Sequence, residues 1–200
     1  CESLVSIGIP DSVVSIGHSA FSNCNSLAII NIPEGITHIE PLTFYGCEIL
    51  TSITLPESLT TIDMGAFGGC ESLITVTIPE NVTAIGDQAF YGCESLTNIN
   101  LPNSIESIGD SAFYGCNLIF NEYDNGYYIG AVDNPYFILF KAIDKTASQT
   151  IIHNDTKIIN SGAFRDCKNL TSISIPDNVT GIGSGAFYAC KSLKSIIVPE

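Results

Sequence analysis

Residues 70–92 read CESLITVTIPENVTAIGDQAFYG, and the same pattern begins again at Cys93. Cysteines recur every 23 residues from Cys1 to Cys116, and the later pair Cys167 and Cys190 keeps this spacing. Prolines and phenylalanines follow the same period. Three residue types in register over so many copies indicate an internal repeat. One unit reads C-x-x-L-x-x-I-x-I-P-x-x-V-x-x-I-G-x-x-A-F-x-x.

Each unit has simple local preferences. Apolar and polar residues alternate around Val76, which predicts a short strand, and Pro79 should end it because proline cannot donate to a ladder. Gly86 is expected to permit a bend with positive φ. The segment Asp87–Tyr91 suits one helical or 3-10 turn, and Gly92 should lead into the next strand. A 23-residue unit cannot bury its own apolar side, so stacked copies predict a solenoid.

The step from Cys116 to Cys167 is 51 residues, which hides two degenerate units. Asp144 then takes the cysteine position and His153 the proline position. We expect one solenoid domain over 1–200, with about eight units and a partial ninth. Its predicted parts are regular repeats at 1–115, an irregular unit at 116–143, a degenerate repeat at 144–166 and regular repeats at 167–200. Both ends fall inside the pattern, so the chain is expected to be a piece of a longer protein.

The irregular unit lacks the Ala-Phe turn. Its two aromatic runs, Tyr127–Gly130 and Tyr136–Phe140, are joined by the turn-like segment Ala131–Pro135, which predicts a β-hairpin. The hairpin could either project and bind a ligand or pack on neighbouring rungs as a tolerated insertion. If it binds, the candidate contact residues are Tyr123, Tyr127, Tyr128, Asn134 and Tyr136.

The eight cysteines suggest chemistry at first sight. Stacking places them in a column about 4.8 Å apart, whereas a disulfide needs Cβ atoms about 3.5–4.5 Å apart with a crossed dihedral angle. No C-x₂₋₄-C pair of a zinc site is present, and no thiol has a dedicated histidine. The cysteines are therefore predicted to be small buried filler, with no metal, cofactor or catalytic role.

Charge is unevenly distributed. The whole chain has a net charge of −14. Residues 1–140 hold 16 acidic residues and no Lys or Arg, so all the basic residues lie in the last third. A surface without Lys or Arg cannot neutralise phosphates, so nucleic acid and anionic lipid are excluded as partners of the first two thirds. The sequence has no apolar run long enough to insert into a membrane.

The unit L-x-x-I-x-I-P-x-x-V-x-x-I-G-x-x-A-F-x-x-C resembles the BspA-like, treponemal-type leucine-rich repeat over nearly the whole chain. The resemblance implies a curved solenoid with a parallel β-sheet on its concave face. It also implies a surface-exposed or secreted protein, often linked to adhesion. The family offers no catalytic residues to carry over, so an enzyme is not expected.

The exposed positions of the concave sheet are the main candidate binding surface. They would carry Ser52, Thr54, Thr75, Thr77, Asn98, Asn100, Ser172 and Ser174. We expect a non-enzymatic adhesion or interaction module for an extracellular protein or glycan, and end-to-end self-association is also open. The alternative is a purely structural stalk. Weak Ca²⁺ binding by acid columns such as Glu48, Glu71 and Glu94 is a lesser alternative. Tyrosines after the phenylalanines are expected to be half-buried packing.

Overall fold

The computed structural model describes residues 1–131 and 133–197. Within that part the chain forms short strands and turns, and no helix is present. The fold divides into two compact units, here called unit 1, Cys1–Ile119, and unit 2, which begins at Phe120. The predicted repeat solenoid is confirmed, with strands recurring at the 23-residue spacing.

Unit 1 has two parallel ladders, and every repeat after the first contributes to both. The first ladder contains β1 (Ser6–Gly8), β2 (Ile29–Asn31), β5 (Thr75–Thr77) and β7 (Asn98–Asn100), with bridges at Thr54 and Ser52 completing the series. The second ladder contains β3 (His38–Ile39), β4 (Thr61–Ile62), β6 (Ala84–Ile85) and β8 (Ser107–Ile108). Every pairing is parallel, as stacking of one repeated unit requires.

Unit 2 begins differently. Its strands are β9 (Asn121–Tyr123), β10 (Gly126–Ile129), β11 (Ile138–Ala142), β12 (Ile158–Ile159), β13 (Ser172–Ser174), β14 (Gly181–Ile182) and β15 (Ser195–Ile197). Strands β9, β10 and β11 are antiparallel, and β11 then pairs in parallel with β12, which pairs with β14. Strands β13 and β15 form a separate parallel pair.

The predicted hairpin is confirmed in β10 and β11, but two features were not anticipated. The hairpin does not project, because β11 continues into the parallel sheet of unit 2 through Leu139 and Ile159. A further strand, β9, precedes it across the turn Asp124–Asn125. Asp124 has a φ of 47°, a conformation that Asp tolerates better than most residues.

The core is built from side chains at repeated positions. Phe44, Phe67 and Phe90 are fully buried and stack with ring centroids 5.4 Å and 5.2 Å apart. Near-parallel offset rings at this distance are a favourable aromatic arrangement. In unit 2, Phe164 and Phe187 repeat the contact at 5.4 Å. The phenylalanine position thus forms a continuous aromatic stack within each run of regular repeats.

The turn after each second strand is not the helical or 3-10 turn offered by the sequence. Gly86 was expected to adopt positive φ, and this was wrong, since the left-handed residues of its repeat are Gln88 (φ 56°) and Gly92 (φ 69°). Two left-handed residues four positions apart prevent a helical segment. Gly86 is needed for space instead, because a Cβ there would lie 2.6 Å from the backbone nitrogen of Met64.

The degenerate repeat keeps its packing but lacks the cysteine of the regular repeats. Ile152 is buried, as its strand position predicts, although no strand forms there. Asp144, in the cysteine position, is exposed and accepts hydrogen bonds from the backbone nitrogen and hydroxyl of Thr146. These bonds lower the pKa of the Asp144 carboxyl. A charged residue therefore leaves the column and caps a turn.

Candidate functional site

The strand face of unit 1 is defined here as the outward side chains of its first ladder from Ser52 to Asn100. Parallel register places Ser52 beside Thr75, and Thr75 beside Asn98. Thr77 likewise lies beside Asn100. The buried residues between them, such as Val76 and Ile99, point inward. The six polar residues are exposed and form two columns. They are Ser52, Thr54, Thr75, Thr77, Asn98 and Asn100.

The side chains of this face are not used by the scaffold. In the described part of the chain, none of the six side chains makes a hydrogen bond to another protein group. Each hydroxyl offers one donor and two acceptor lone pairs, and each amide offers two donors. Neighbouring rungs are about 4.8 Å apart, so these groups repeat at a fixed spacing along the face.

Some polar side chains elsewhere in unit 1 do bind the scaffold. Ser58 and Ser104 donate their hydroxyls, at 2.7 Å, to main-chain carbonyls one rung away. Thr60 donates to the carbonyl of Thr37 at 3.0 Å. These residues stabilise the stack by satisfying backbone groups between the strands. The strand face is thus one polar surface of unit 1 that stacking leaves available.

Unit 2 offers a smaller version of the face. Ser174 is exposed and Ser172 is half-buried, and the two pair with Ile197 and Ser195 of β15. The neighbouring position of Ser174 is therefore an apolar side chain, unlike the Thr and Asn columns of unit 1. We consequently place the stronger candidate surface in unit 1.

The hairpin candidates separate into one exposed residue and several packed ones. Tyr128 was a candidate contact residue, and the structure contradicts this, because its side chain is fully buried. Its hydroxyl accepts a hydrogen bond from the backbone nitrogen of His153 at 3.2 Å. Burial raises the pKa of Tyr128 to about 12. Tyr128 belongs to the core of unit 2, beside Leu139 and Ile159.

The other candidates lie at the edge of this core. Tyr136 is half-buried and stacks on the imidazole of His153, with centroids 4.0 Å apart, and Tyr123 meets the same ring edge-on at 4.7 Å. The side chain of Asn134 donates to the carbonyl of Asp155 at 3.1 Å. Strands β9, β10 and β11 are here called the meander. These interactions hold the meander onto the rung that carries His153.

Tyr127 lies on the outer side of the meander in a second aromatic group. Its ring is 5.2 Å from that of Phe120, and the Lys141 ammonium lies 5.5 Å from the Tyr127 centroid. Lys141 also lies 5.2 Å from the Phe120 ring, so the cation is held by two aromatic faces. Tyr123 and Tyr127 thus remain candidate contact residues, and both already have intramolecular partners.

The cysteines form a hydrogen-bonded column. The thiols of Cys70 and Cys93 donate to the carbonyls of Phe44 and Phe67, at 3.2 Å and 3.1 Å. The same bond joins Cys190 to Phe164 in unit 2 at 3.1 Å. Each of these hydrogen bonds therefore joins two neighbouring rungs. The phenylalanine carbonyl already accepts from a backbone nitrogen, and the thiol uses its second lone pair.

Burial disfavours ionisation of several thiols in this column. Burial raises the pKa of Cys47 to about 12 and that of Cys167 to about 11. The neighbouring Cys116 thiol, followed by burial, raises the pKa of Cys93. Because the thiolate is the reactive form, these groups are poor nucleophiles and poor metal ligands. All eight cysteines are free thiols.

The acid columns use the backbone of the next rung. The Glu34 carboxylate accepts from the backbone nitrogen of Glu57 at 3.1 Å, and Asp87 accepts from that of Asp110 at 2.7 Å. Where acids crowd, burial and the Glu40 carboxylate raise the pKa of Asp63. Across residues 1–131 and 133–197, no three His, Cys, Asp or Glu side chains converge as a metal site would require.

The tyrosines after the phenylalanines were expected to be half-buried packing. Tyr45 and Tyr91 come close to this, at 42% and 41% exposed, whereas Tyr114 is 64% exposed. The rings of Tyr91 and Tyr114 stack 5.4 Å apart on the surface. The sequence did hold a signal, since Arg165 occupies the same repeat position and arginine is almost never fully buried without a partner. This edge was the surface missed by sequence reasoning.

Among the described residues, no helix is long and apolar enough to cross a membrane.

Comparison with known proteins places these features in context. A family model described as BspA type leucine rich repeat region matches residues 1–119 and 139–200. A leucine rich repeat protein of T. pallidum is similar at 27% identity and a TM-score of 0.63, covering 96% of this chain and 78% of that protein. A leucine-rich repeat protein from Bacteroides ovatus is 37% identical with a TM-score of 0.64, covering 100% of this chain.

The chain spans 56% of the B. ovatus protein's length, so the match concerns part of that molecule. Among curated proteins, none matches this chain.

Proposed function

Because this chain belongs to the BspA type leucine-rich repeat family, we propose that it is a non-enzymatic interaction module, secreted or held at a cell surface. We further propose that the strand face of unit 1 binds an extracellular protein ligand and that this binding serves adhesion. Leucine-rich repeats are scaffolds through which proteins bind other proteins, and the family is generally non-enzymatic. The ligand and the location are proposals, since the scaffold alone does not specify them.

The observation that carries the proposal is the set of unengaged polar side chains. Six hydroxyls and amides in two columns make no intramolecular hydrogen bond, whereas Ser58, Thr60 and Ser104 all bind the scaffold. The face is therefore supported as a surface whose donors and acceptors serve an external partner.

The rigidity of the face supports binding. The β5 and β7 backbones pair in register over three residues, and the Val76 and Ile99 side chains anchor them in the core. Binding groups on a pre-ordered surface lose little conformational entropy when a ligand docks. A rigid polar face thus suits many weak contacts with an extended partner.

The chemistry of the face also defines what it should accept. It carries hydroxyls and amides without a formal charge or an aromatic platform, so affinity must come from neutral hydrogen bonds. Each such bond contributes about 0.5–1.5 kcal/mol net. An extended polypeptide presents repeated main-chain donors and acceptors that match these columns. A ligand that binds through one apolar side chain would match them less well.

The proposal is tested by a binding screen against host-matrix proteins and glycans, followed by paired variants. Thr75→Arg with Asn98→Arg places two long side chains on the strand face. His38→Arg with Ser107→Arg adds the same charge on the second ladder and is the matched control. We expect the first pair to weaken binding about tenfold or more, since two or three hydrogen bonds are lost, and the control to bind as wild type.

Two results count against the proposal. If wild type binds nothing in the screen, a structural stalk becomes the better account. If a ligand binds both variant pairs equally well, the binding surface lies elsewhere. Tyr123→Ala then reports whether the meander supplies the contact.

A further inference from the structure

The turn edge of unit 1 is defined here as the exposed residues that follow its phenylalanines and cysteines: Tyr45, Glu48, Glu71, Tyr91, Glu94 and Tyr114. The turn edge of unit 2 has the equivalent repeat positions Arg165, Lys168, Tyr188 and Lys191. We propose that the turn edge of unit 1 docks against the turn edge of unit 2 in a second copy of this chain. This surface is separate from the strand face.

The tyrosines of unit 1 present ring surface that the scaffold does not cover. Tyr91 and Tyr114 stack on each other with an interplanar angle of 14°, while both remain substantially exposed. Tyr45 leans over Gly68, where a Cβ would lie 2.9 Å from its ring. One ring face of Tyr45 is therefore packed and the other is open. Exposed tyrosine clusters are typical of protein interfaces.

The acids beside these tyrosines have no cationic partner. Unit 1 contains no Lys or Arg, and no ion pair engages Glu48, Glu71 or Glu94 in the described residues. The three carboxylates follow one another at one-rung intervals. An aromatic strip flanked by unpaired carboxylates attracts cations through both charge and ring faces.

Unit 2 carries the complementary groups at the same repeat positions. Lys168 and Lys191 are exposed where unit 1 has glutamates, and neither forms an ion pair within the described residues. One rung separates them, as one rung separates Glu71 from Glu94. Two lysines and two glutamates thus share a common spacing of about 4.8 Å, which permits them to meet pairwise.

Unit 2 also shows the contact that would form across the interface. The Arg165 guanidinium lies 5.0 Å from the Tyr188 ring centroid, one rung away. The Arg165 side chain is still 63% exposed, and its only nearby acid in the described chain is Asp166 at 4.0 Å. Its outer face is therefore available to a second tyrosine, such as Tyr91 or Tyr114 of another copy.

The net negative charge of the chain opposes the proposed association, and the test must take this repulsion into account. Each chain carries −14, so two copies repel overall. Variants that change only net charge must be distinguished from those that change the edges. Lys168→Glu with Lys191→Glu reverses the basic edge. Lys157→Glu with Lys194→Glu changes the net charge equally at lysines outside the turn edges and is the control.

Sedimentation velocity of wild type up to about 1 mM should show reversible association of the weak class. The Lys168→Glu, Lys191→Glu chain should associate at least about tenfold more weakly than its control, which corresponds to losing 1.4 kcal/mol. Glu71→Lys with Glu94→Lys should also weaken self-association, although it reduces the net negative charge. Mixing the two edge-reversed chains should restore association between them.

Three results would overturn the proposal. One is a monomer at every concentration. Another is equal association of the edge variant and its control, which would place the contact elsewhere, as in end-to-end stacking. The third is stronger self-association of the Glu71→Lys, Glu94→Lys chain, which would show that only net charge matters.

Discussion

The rungs of unit 1 and the meander of unit 2 solve the same packing problem in different ways. In unit 1, Phe67 and Phe90 fill identical positions and the thiols of Cys70 and Cys93 make identical bonds. In the meander, Tyr128 supplies the large buried ring, and its hydroxyl is satisfied by the backbone of His153. Repetition makes residues interchangeable, whereas a single exception needs its own set of partners.

This difference bears on where function can reside. A contact that recurs in every rung cannot be a unique catalytic site, but it can build a uniform surface. The meander is unique and could have been the binding element, yet most of its aromatic residues are committed to packing. The regular part therefore provides the better candidate surface, and the irregular part is mainly structural.

The largest expected effect is in the phenylalanine stack. Phe90→Ala should reduce the free energy of unfolding by about 3–5 kcal/mol, as for a buried aromatic residue. Phe187 occupies the same position in unit 2 but is half-buried, so Phe187→Ala should cost less. Urea denaturation of both variants measures the difference. A loss below about 1 kcal/mol for Phe90→Ala would mean that the stack does not stabilise the fold.

The meander should depend on one hydroxyl. Tyr128→Phe leaves the backbone nitrogen of His153 without its acceptor, and we expect a loss of about 1–3 kcal/mol in unfolding free energy. Tyr123→Phe, at an exposed position, is the matched control and should stay within about 0.5 kcal/mol of wild type. Equal effects of the two substitutions would show that the Tyr128 hydrogen bond contributes nothing specific.

Both regions should lose stability at alkaline pH. Burial raises the pKa of Cys47 and of Tyr128, each to about 12, above their ordinary values of 9.0 and 10.0. The folded chain therefore holds these protons more tightly than the unfolded chain. Their contribution is complete below the ordinary pKa and is lost as the pH rises toward 12.

The measurement is unfolding free energy between pH 8 and pH 12, using urea. Cys47→Ala and Tyr128→Phe should each show a shallower decline than wild type, one for each region. Parallel curves for all three proteins would contradict the assigned burial of these groups.

The smallest expected effect concerns backbone strain in a regular turn. Gln88 is exposed and has a φ of 56°, at a position where another rung has Gly65. Gln88→Gly should stabilise the chain by up to about 1 kcal/mol, because relief of left-handed strain exceeds the added entropy of unfolded glycine. Gln88→Ala retains the Cβ and should be neutral. Destabilisation by Gln88→Gly would show that the turn is not strained.

Much of the fold was predictable because repetition removes ambiguity. The alternation around Val76 recurs in several units, so the strand, its inward residues and its parallel partners follow from one pattern. The hairpin in β10 and β11 was predictable from two aromatic runs and a turn. Strand β9 was not predicted, although Asp124, Asn125 and Gly126 form a recognisable turn signal before β10.

The errors arose where stacking, rather than local preference, determines a residue's role. Gly86 is required by the backbone of the rung beside it, which a single unit cannot reveal. For the strand face, the sequence indicated which residues point outward. It could not indicate that their hydroxyls and amides remain unengaged, because that depends on contacts across rungs.

The central claim is that the cysteines are structural residues that stabilise the stack of repeats. Function then lies on the surfaces of the repeats. Alkylation in denaturant without reductant, read by mass spectrometry, tests it most directly. We predict eight modified thiols per chain, and in the native protein Cys1 should react first because it alone is fully exposed among the described cysteines. Recovery of four or fewer thiols after denaturation would contradict the account, since it would mean that the column is cross-linked by disulfides.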